Sequence, residues 1–199
     1  ALAMNAVASS EGRQTMPKPR PSMNSLYSGE SYAFLSAGTI VSMVGAHTSR
    51  EESRADTRYD FREVPLAVLV DQSSASATEI VTGALRNHNR AMVLGRRTFG
   101  KGSVQVLHPR RIDGDDYALK LTIAQYLTPG DQSIQSVGVT PDIALHRMFI
   151  PKQNKKVSDQ VRLLEASRTY READLNAHLT SRYAKKPAKP SYTLGYVYE

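Results

Sequence analysis

The chain contains no cysteine and no tryptophan. The first absence excludes disulfide bridges, thiolate zinc sites and a cysteine nucleophile. Long apolar runs are also missing, and no stretch approaches the roughly 20 residues that a membrane-spanning helix needs. Hydrophobic residues make up 40% of the 199, enough for one core with polar ends. Acidic residues are the minority, 19 against 26 basic ones, for a formal charge of +7. The basic residues are scattered in pairs such as Arg96-Arg97, Arg110-Arg111, Lys155-Lys156 and Lys185-Lys186. They lack the interleaved aromatic residues of a nucleic-acid-binding face, so nucleic acid is not expected as the main partner.

Residues 1–31 are rich in Ser, Met, Pro and Gly with no period of 2 or 3.6, which predicts a flexible or irregular segment. Thr39-Ile40-Val41-Ser42-Met43-Val44 is a β-branched run suited to a strand. The charged stretch His47 to Glu63 predicts a loop or a polar hairpin. From Pro65 the pattern sharpens. Leu66-Ala67-Val68-Leu69-Val70 and Ala91-Met92-Val93-Leu94 are short continuous apolar runs typical of strands buried on both faces. Between them, Ser76 to Arg86 carries an apolar stripe of Ile80, Val81, Ala84 and Leu85 at helical spacing. Strand, helix, strand in so short a span predicts a βαβ unit and an α/β fold. Beyond the glycine-rich stretch Gly95 to Gly102, Val104 and Val106 on one strand, Asp113-Gly114 as the turn, and Leu119, Leu121 and Ile123 alternating with Lys120 and Thr122 on the return predict a β-hairpin. Ser158 to about Leu179 reads as a C-terminal helix, followed by a basic tail. The expected organisation is a flexible 1–31, a core over 32–150, and a helix and tail over 151–199.

Ser76 stands just after a buried strand and opens the predicted helix. Ser76-Ala77-Thr78-Glu79 fits a capping box, with the serine as cap and Glu79 reaching back. The same position suits a nucleophile, because a helix start presents free N–H groups and a positive dipole end. The backbone N–H of Ala77 could there stabilise an oxyanion. A serine hydroxyl also needs a base. The five histidines, His47, His88, His108, His146 and His178, lie in no motif that pairs them with an acid. The other known solution is a lysine shielded from water. Lys101, flanked by Gly100 and Gly102, is the candidate; the glycines allow a close approach of backbone to another segment. Locally, Lys101 also reads as an ordinary loop lysine.

Two strings decide between these readings. Ser74-Ala75-Ser76-Ala77-Thr78-Glu79-Ile80 and Thr98-Phe99-Gly100-Lys101-Gly102-Ser103-Val104-Gln105 resemble, in order and spacing, the two catalytic motifs of the carboxyl-terminal processing serine peptidases. The resemblance runs from about Phe34 to Ile143 and includes Ser133-Ile134-Gln135 and Gly138-Val139-Thr140-Pro141-Asp142-Ile143. It implies a crotonase- or Clp-protease-like α/β core of βαβ units with an added β-hairpin. It further implies Ser76 as nucleophile, Lys101 as general base and Gln105 as the residue that orients the lysine. The substrate would be an unfolded or C-terminally exposed polypeptide, with no metal or organic cofactor, in a periplasmic or otherwise extracytoplasmic location.

The sequence departs from that family in two places. A glycine-rich loop of the Asn-Pro-Gly-Gly type, which normally completes the oxyanion hole, is replaced by Ser22 to Tyr32 with only Gly29. The PDZ-like substrate-binding domain of many members is not in these residues; a substrate-binding domain elsewhere or a homo-oligomer is the expected alternative. The rival readings are a catalytically impaired binding or scaffold domain on the same fold, and a P-loop-like nucleotide binder. The second rests on Gly95 to Lys101, but a P-loop needs Ser or Thr next, followed by a helix. Gly102 and a strand-like run stand there instead.

Overall fold

The computed structural model describes residues 34–47, 49–55, 64–113, 115–149, 162–163, 170–176 and 178–197. The predicted flexible segment 1–31 lies outside them. Two five-stranded sheets dominate. The first has the order β2-β1-β6-β5 with β7 added to β6. It is built from β1 (Thr39–Gly45), β2 (Glu51–Arg54), β5 (Ser103–Ile112), β6 (Asp115–Thr128) and β7 (Gln132–Ser133), all antiparallel. The second has the order β10-β8-β4-β3 with β9 added to β8. It contains β3 (Ala67–Val70), β4 (Met92–Gly95), β8 (Ile143–Phe149), β9 (Arg162–Leu163) and β10 (Tyr192–Val197). Here β3, β4, β8 and β10 run parallel.

The predicted βαβ unit is present. The helix Ala77–Asn87 joins the adjacent parallel strands β3 and β4. Its predicted stripe is buried, but so are Thr78, Glu79, Thr82 and Gly83, more than one amphipathic face requires. The reason is that the helix meets both sheets, touching β1 and β6 of the first and β4 of the second. Ile40, Val41, Val68, Val70, Ile80, Leu85 and Val93 form the core between them. The helix C-terminus is pinned by Asn87, whose amide donates to Thr128 Oγ1 (3.1 Å) and Pro129 O (3.0 Å). Arg86 adds an ion pair to Asp142 at 2.9 Å, and Asp142 also accepts from the Val93 N–H at 2.9 Å. No helix among the described residues is long and apolar enough to cross a membrane.

The hairpin predicted around Asp113 is present as β5–β6; of the stretch His47 to Glu63, expected as a loop or a polar hairpin, Glu51–Arg54 forms β2 and pairs with the preceding strand β1. The C-terminal region differs from its expectation. Within the predicted helix over 158–179, the described residues form β9 and a short 3-10 turn, Glu172–Asp174. Tertiary bonds override local propensity there. Arg162–Leu163 pairs with β8, and the Glu172 N–H donates to Phe99 O at 3.2 Å. The predicted tail includes a strand, β10. Tyr192 to Val197 are β-prone residues aligned beside β8, and Ser191 and Tyr192 both donate to Asp142 O.

Candidate active site

Parallel strands β3 and β4 end side by side, with Val70 paired to Gly95. The loops leaving their C-terminal ends therefore emerge at one edge of the sheet, where open α/β sheets form sites. One loop carries Ser76 and the other Lys101. The approach is tight: a Cβ on Gly95, which has φ +123°, would lie 1.9 Å from Val70 O.

The first loop is organised by Asp71. Its Oδ1 accepts from the Ser73 N–H (2.9 Å), the Ser74 N–H (3.0 Å) and the Ser74 hydroxyl (3.2 Å). Ser76 follows at φ 58° and ψ −114°. This is a conformation that side-chain-bearing residues rarely adopt, and it costs about 1–3 kcal/mol. A sharp strand-to-helix turn of this type is the geometry that presents a nucleophilic serine. The expected capping box has its return arm, with Glu79 Oε2 accepting the Ser76 N–H at 2.9 Å. The Glu79 N–H in turn donates to the Ser76 carbonyl at 2.9 Å. The Ser76 dihedrals depart from the extended region in which a cap residue normally sits. Ser76 is half-buried, and the Ala77 N–H donates to no described residue.

Glu79 is the centre of the arrangement, and its sequence position suggested only a cap. It is wholly buried. Its Oε2 also accepts the Lys101 N–H at 2.8 Å. Its Oε1 accepts the Gly100 N–H (2.7 Å) and the Thr98 hydroxyl (2.5 Å). One carboxylate oxygen therefore bridges the amide groups of the two predicted catalytic residues. Burial pushes the Glu79 carboxyl above its ordinary range, while the four donors pull the other way. Thr98 extends the link, accepting from the Val139 N–H at 2.7 Å.

A second buried side chain fixes the far side of the lysine. Gln135 Oε1 accepts the Gly102 N–H at 2.8 Å, and its amide donates to Glu172 Oε1 and Leu179 O, each at 3.1 Å. The 3-10 turn and the segment after it are thereby tied to the lysine loop. Only glycine fits at 102, because a Cβ would lie 2.8 Å from Gln135 N. Arg97, next to Thr98, donates to Val137 O. Burial, with the charge of Arg171 beside it, lowers its guanidinium from the ordinary value.

Ser76 and Lys101 are brought together at the level of their backbones. Gln105 stands farther on in β5, exposed, with its amide donating to Thr122 Oγ1 at 3.3 Å. Glu79 and Gln135 both lie within the strings that carried the resemblance, but their long-range bonds have no local signature. Lys101 is followed by β5 and not by a helix, which removes the structural basis for a P-loop. Among the described residues no group of three His, Asp or Glu could hold a metal ion.

The family model of Peptidase family S41 matches residues 26–145. A carboxy-terminal-processing protease of Bartonella bacilliformis is 45% identical over 117 residues, covering 58% of this chain and 26% of that protein. The chloroplastic carboxyl-terminal-processing peptidase 3 of Arabidopsis thaliana is 42% identical over 106 residues, covering 51% and 20%. Among solved structures, a photosystem II D1 C-terminal processing protease superimposes with a TM-score of 0.54 at 30% identity, over 59% of this chain and 30% of that one. In each case the match takes in less than a third of the relative's length.

Proposed function

Since this chain belongs to Peptidase family S41, we propose that it carries the catalytic core of a serine endopeptidase working through Ser76 and Lys101. The observation that carries the reading is the Glu79 carboxylate, which accepts from the amides of Ser76 and Lys101 on one oxygen. A buried acidic group is costly, and here it joins the two loops that the mechanism needs to be adjacent.

In this reading the unprotonated amine of Lys101 takes the Ser76 hydroxyl proton as the oxygen attacks a peptide carbonyl. The tetrahedral oxyanion receives a hydrogen bond from the Ala77 N–H, reinforced by the positive end of the helix. The Lys101 ammonium then protonates the leaving amine, and the acyl-enzyme forms. Water, deprotonated by Lys101, releases the acyl group and regenerates Ser76. Gln105 orients the Lys101 amine after turning its amide away from Thr122. Glu79 is a positioning residue that acts through the two backbones. No step calls for a metal or organic cofactor.

The substrate is an unfolded or C-terminally exposed polypeptide, and the site of action is extracytoplasmic. We place the two sheets and intervening helix in the crotonase- or Clp-protease-like class, supported by the parallel β3–β4 crossover at whose carboxyl edge the site lies. Turnover of casein tests the function. The wild-type chain should release peptides, and Ser76→Ala and Lys101→Ala should each lower kcat by about a thousandfold or more. Equal rates for wild type and Ser76→Ala would remove the hydrolase reading.

A further inference from the structure

Cavities of about 240 and 730 Å³ surround the C-terminal half of the helix at Arg86 and Asn87, away from the predicted catalytic residues. A third, of about 470 Å³, lies beside the lysine loop. Its floor is β6 from Thr122 to Gln125, one wall is the end of β1, and the other is the segment from Leu179 to Tyr183. Two connections place it next to Lys101. Gln125 is the register partner of Ser103, and the following peptide N–H, that of Tyr126, donates to Gly102 O at 2.7 Å. The Leu179 wall is held by Gln135, which also holds the Gly102 N–H.

Gln125 is the anomaly in this cavity. Its Oε1 is buried without a hydrogen-bond partner, and no described residue partners its amide nitrogen. Buried side-chain carbonyls are nearly always paired, so this one leaves an acceptor position that a donor from outside the fold can use. We propose that Gln125 is a specificity-determining residue and that the cavity is a substrate side-chain subsite taking a neutral amide, glutamine or asparagine. This inference rests on the peptidase reading. A carboxamide is the complement of a carboxamide, since each offers one acceptor and two donor hydrogens. Val44, Ile123 and Leu179 line the space for its methylene groups. Charged side chains fit less well. The Arg182 guanidinium, 4.9 Å over the Tyr183 ring, repels a cationic residue. A carboxylate would be drawn to Arg182, but it could only accept, and would leave the glutamine carbonyl unpaired.

The test is peptide binding to the uncleaving Ser76→Ala chain, followed by fluorescence anisotropy. The labelled peptides differ at one position as Gln, Leu, Lys or Glu. The Gln peptide should bind about tenfold more tightly than the Leu peptide, the scale of one buried acceptor left unpaired. Adding Gln125→Met should bring that ratio to about one, and should leave Tm at or above its parent because the orphaned carbonyl is gone. No peptide binding, no preference for Gln, or a preference that survives Gln125→Met would overturn the assignment. Cleavage of the same peptides by the wild-type chain separates the two readings. Selective binding without cleavage keeps the subsite and loses the peptidase, whereas cleavage with equal kcat/KM for Gln and Leu does the reverse.

Discussion

The loops around Glu79 and the β5–β6 hairpin are opposite solutions within one chain. Around Glu79, polar side chains are buried and paired: Glu79, Thr98 and Gln135 have no exposed surface, and each joins separate segments. In the hairpin, apolar side chains are exposed, with Leu107 at 65%, Tyr117 at 54% and Leu119 at 56%. Nine consecutive residues from Asp115 to Ile123 are exposed on both faces of the ribbon. Burying a polar group costs free energy unless every hydrogen bond is made, so the first region tolerates almost no change. The hairpin gains little from its exposed apolar residues in the folded chain, and there substitutions should cost little. Polar burial here marks where geometry is demanded; apolar exposure marks where it is not.

The sharpest way to break this contrast is Glu79→Gln. A glutamine keeps the size but faces its NH₂ group toward donors, leaving two buried N–H or O–H groups unpaired, at about 3 kcal/mol in total. Displacement of the Ser76 and Lys101 backbones should lower kcat about a hundredfold, with KM little changed. Both effects are read from thermal unfolding and casein turnover. The pH dependence has a definite sign. Burial raises the Glu79 carboxyl above its ordinary 4.5, so its contribution to stability is complete below that value and lost as pH climbs through the raised one. The margin of wild type over Glu79→Gln should therefore be widest in acid and narrow toward neutrality. A margin that grew with pH would show that the four donors outweigh burial.

Gly102→Ala attacks the other side of the lysine loop. The new methyl would meet Gln135 N at 2.8 Å and Ile134 Cγ1 at 2.9 Å. One of these contacts is backbone, so the loop and not a side chain must move. The expected cost is about 2 kcal/mol, with a fall in kcat of ten- to a hundredfold as Lys101 shifts. Unchanged activity with lowered Tm would mean that the Gln135 clamp is structural only.

What could be read from the sequence follows from how far apart the determinants lie. The unit from β3 through the helix to β4 was legible because its apolar runs and helical stripe are local, and so was the turn of the β5–β6 hairpin. The alignment of β6 with β1 was not, because nothing in either strand encodes its partner. Arg162–Leu163 and Tyr192–Val197 were misjudged for the same reason, each being set by pairing with β8. At the candidate site, motif and spacing single out Ser76 and Lys101 as the proposed pair. In the sequence Glu79 shows only as a cap, because its bond to Ser76 spans three residues, whereas those to Thr98, Gly100 and Lys101 span nineteen to twenty-two. Gln125 carried no sequence signal: an orphaned acceptor is defined by the partners that the fold fails to bring to it.

Leu119→Thr asks whether the hairpin is as permissive as its exposure implies. The side chain sits opposite His108 in the ladder, and threonine brings the β-branching that a strand favours. With more than half of its surface already in water, leucine has little apolar burial to lose. The expected change in stability is within about 0.5 kcal/mol, and casein turnover should match wild type. The same substitution interrupts the row Tyr117, Leu119, Leu121 and Ile123 on alternate positions of β6, and exposed rows of this kind promote association between molecules. Solubility at high protein concentration should therefore rise. A loss near that of a core leucine, about 2 kcal/mol or more, would show that the row is covered in the folded chain, and the contrast with the Glu79 region would then be one of partner and not of exposure.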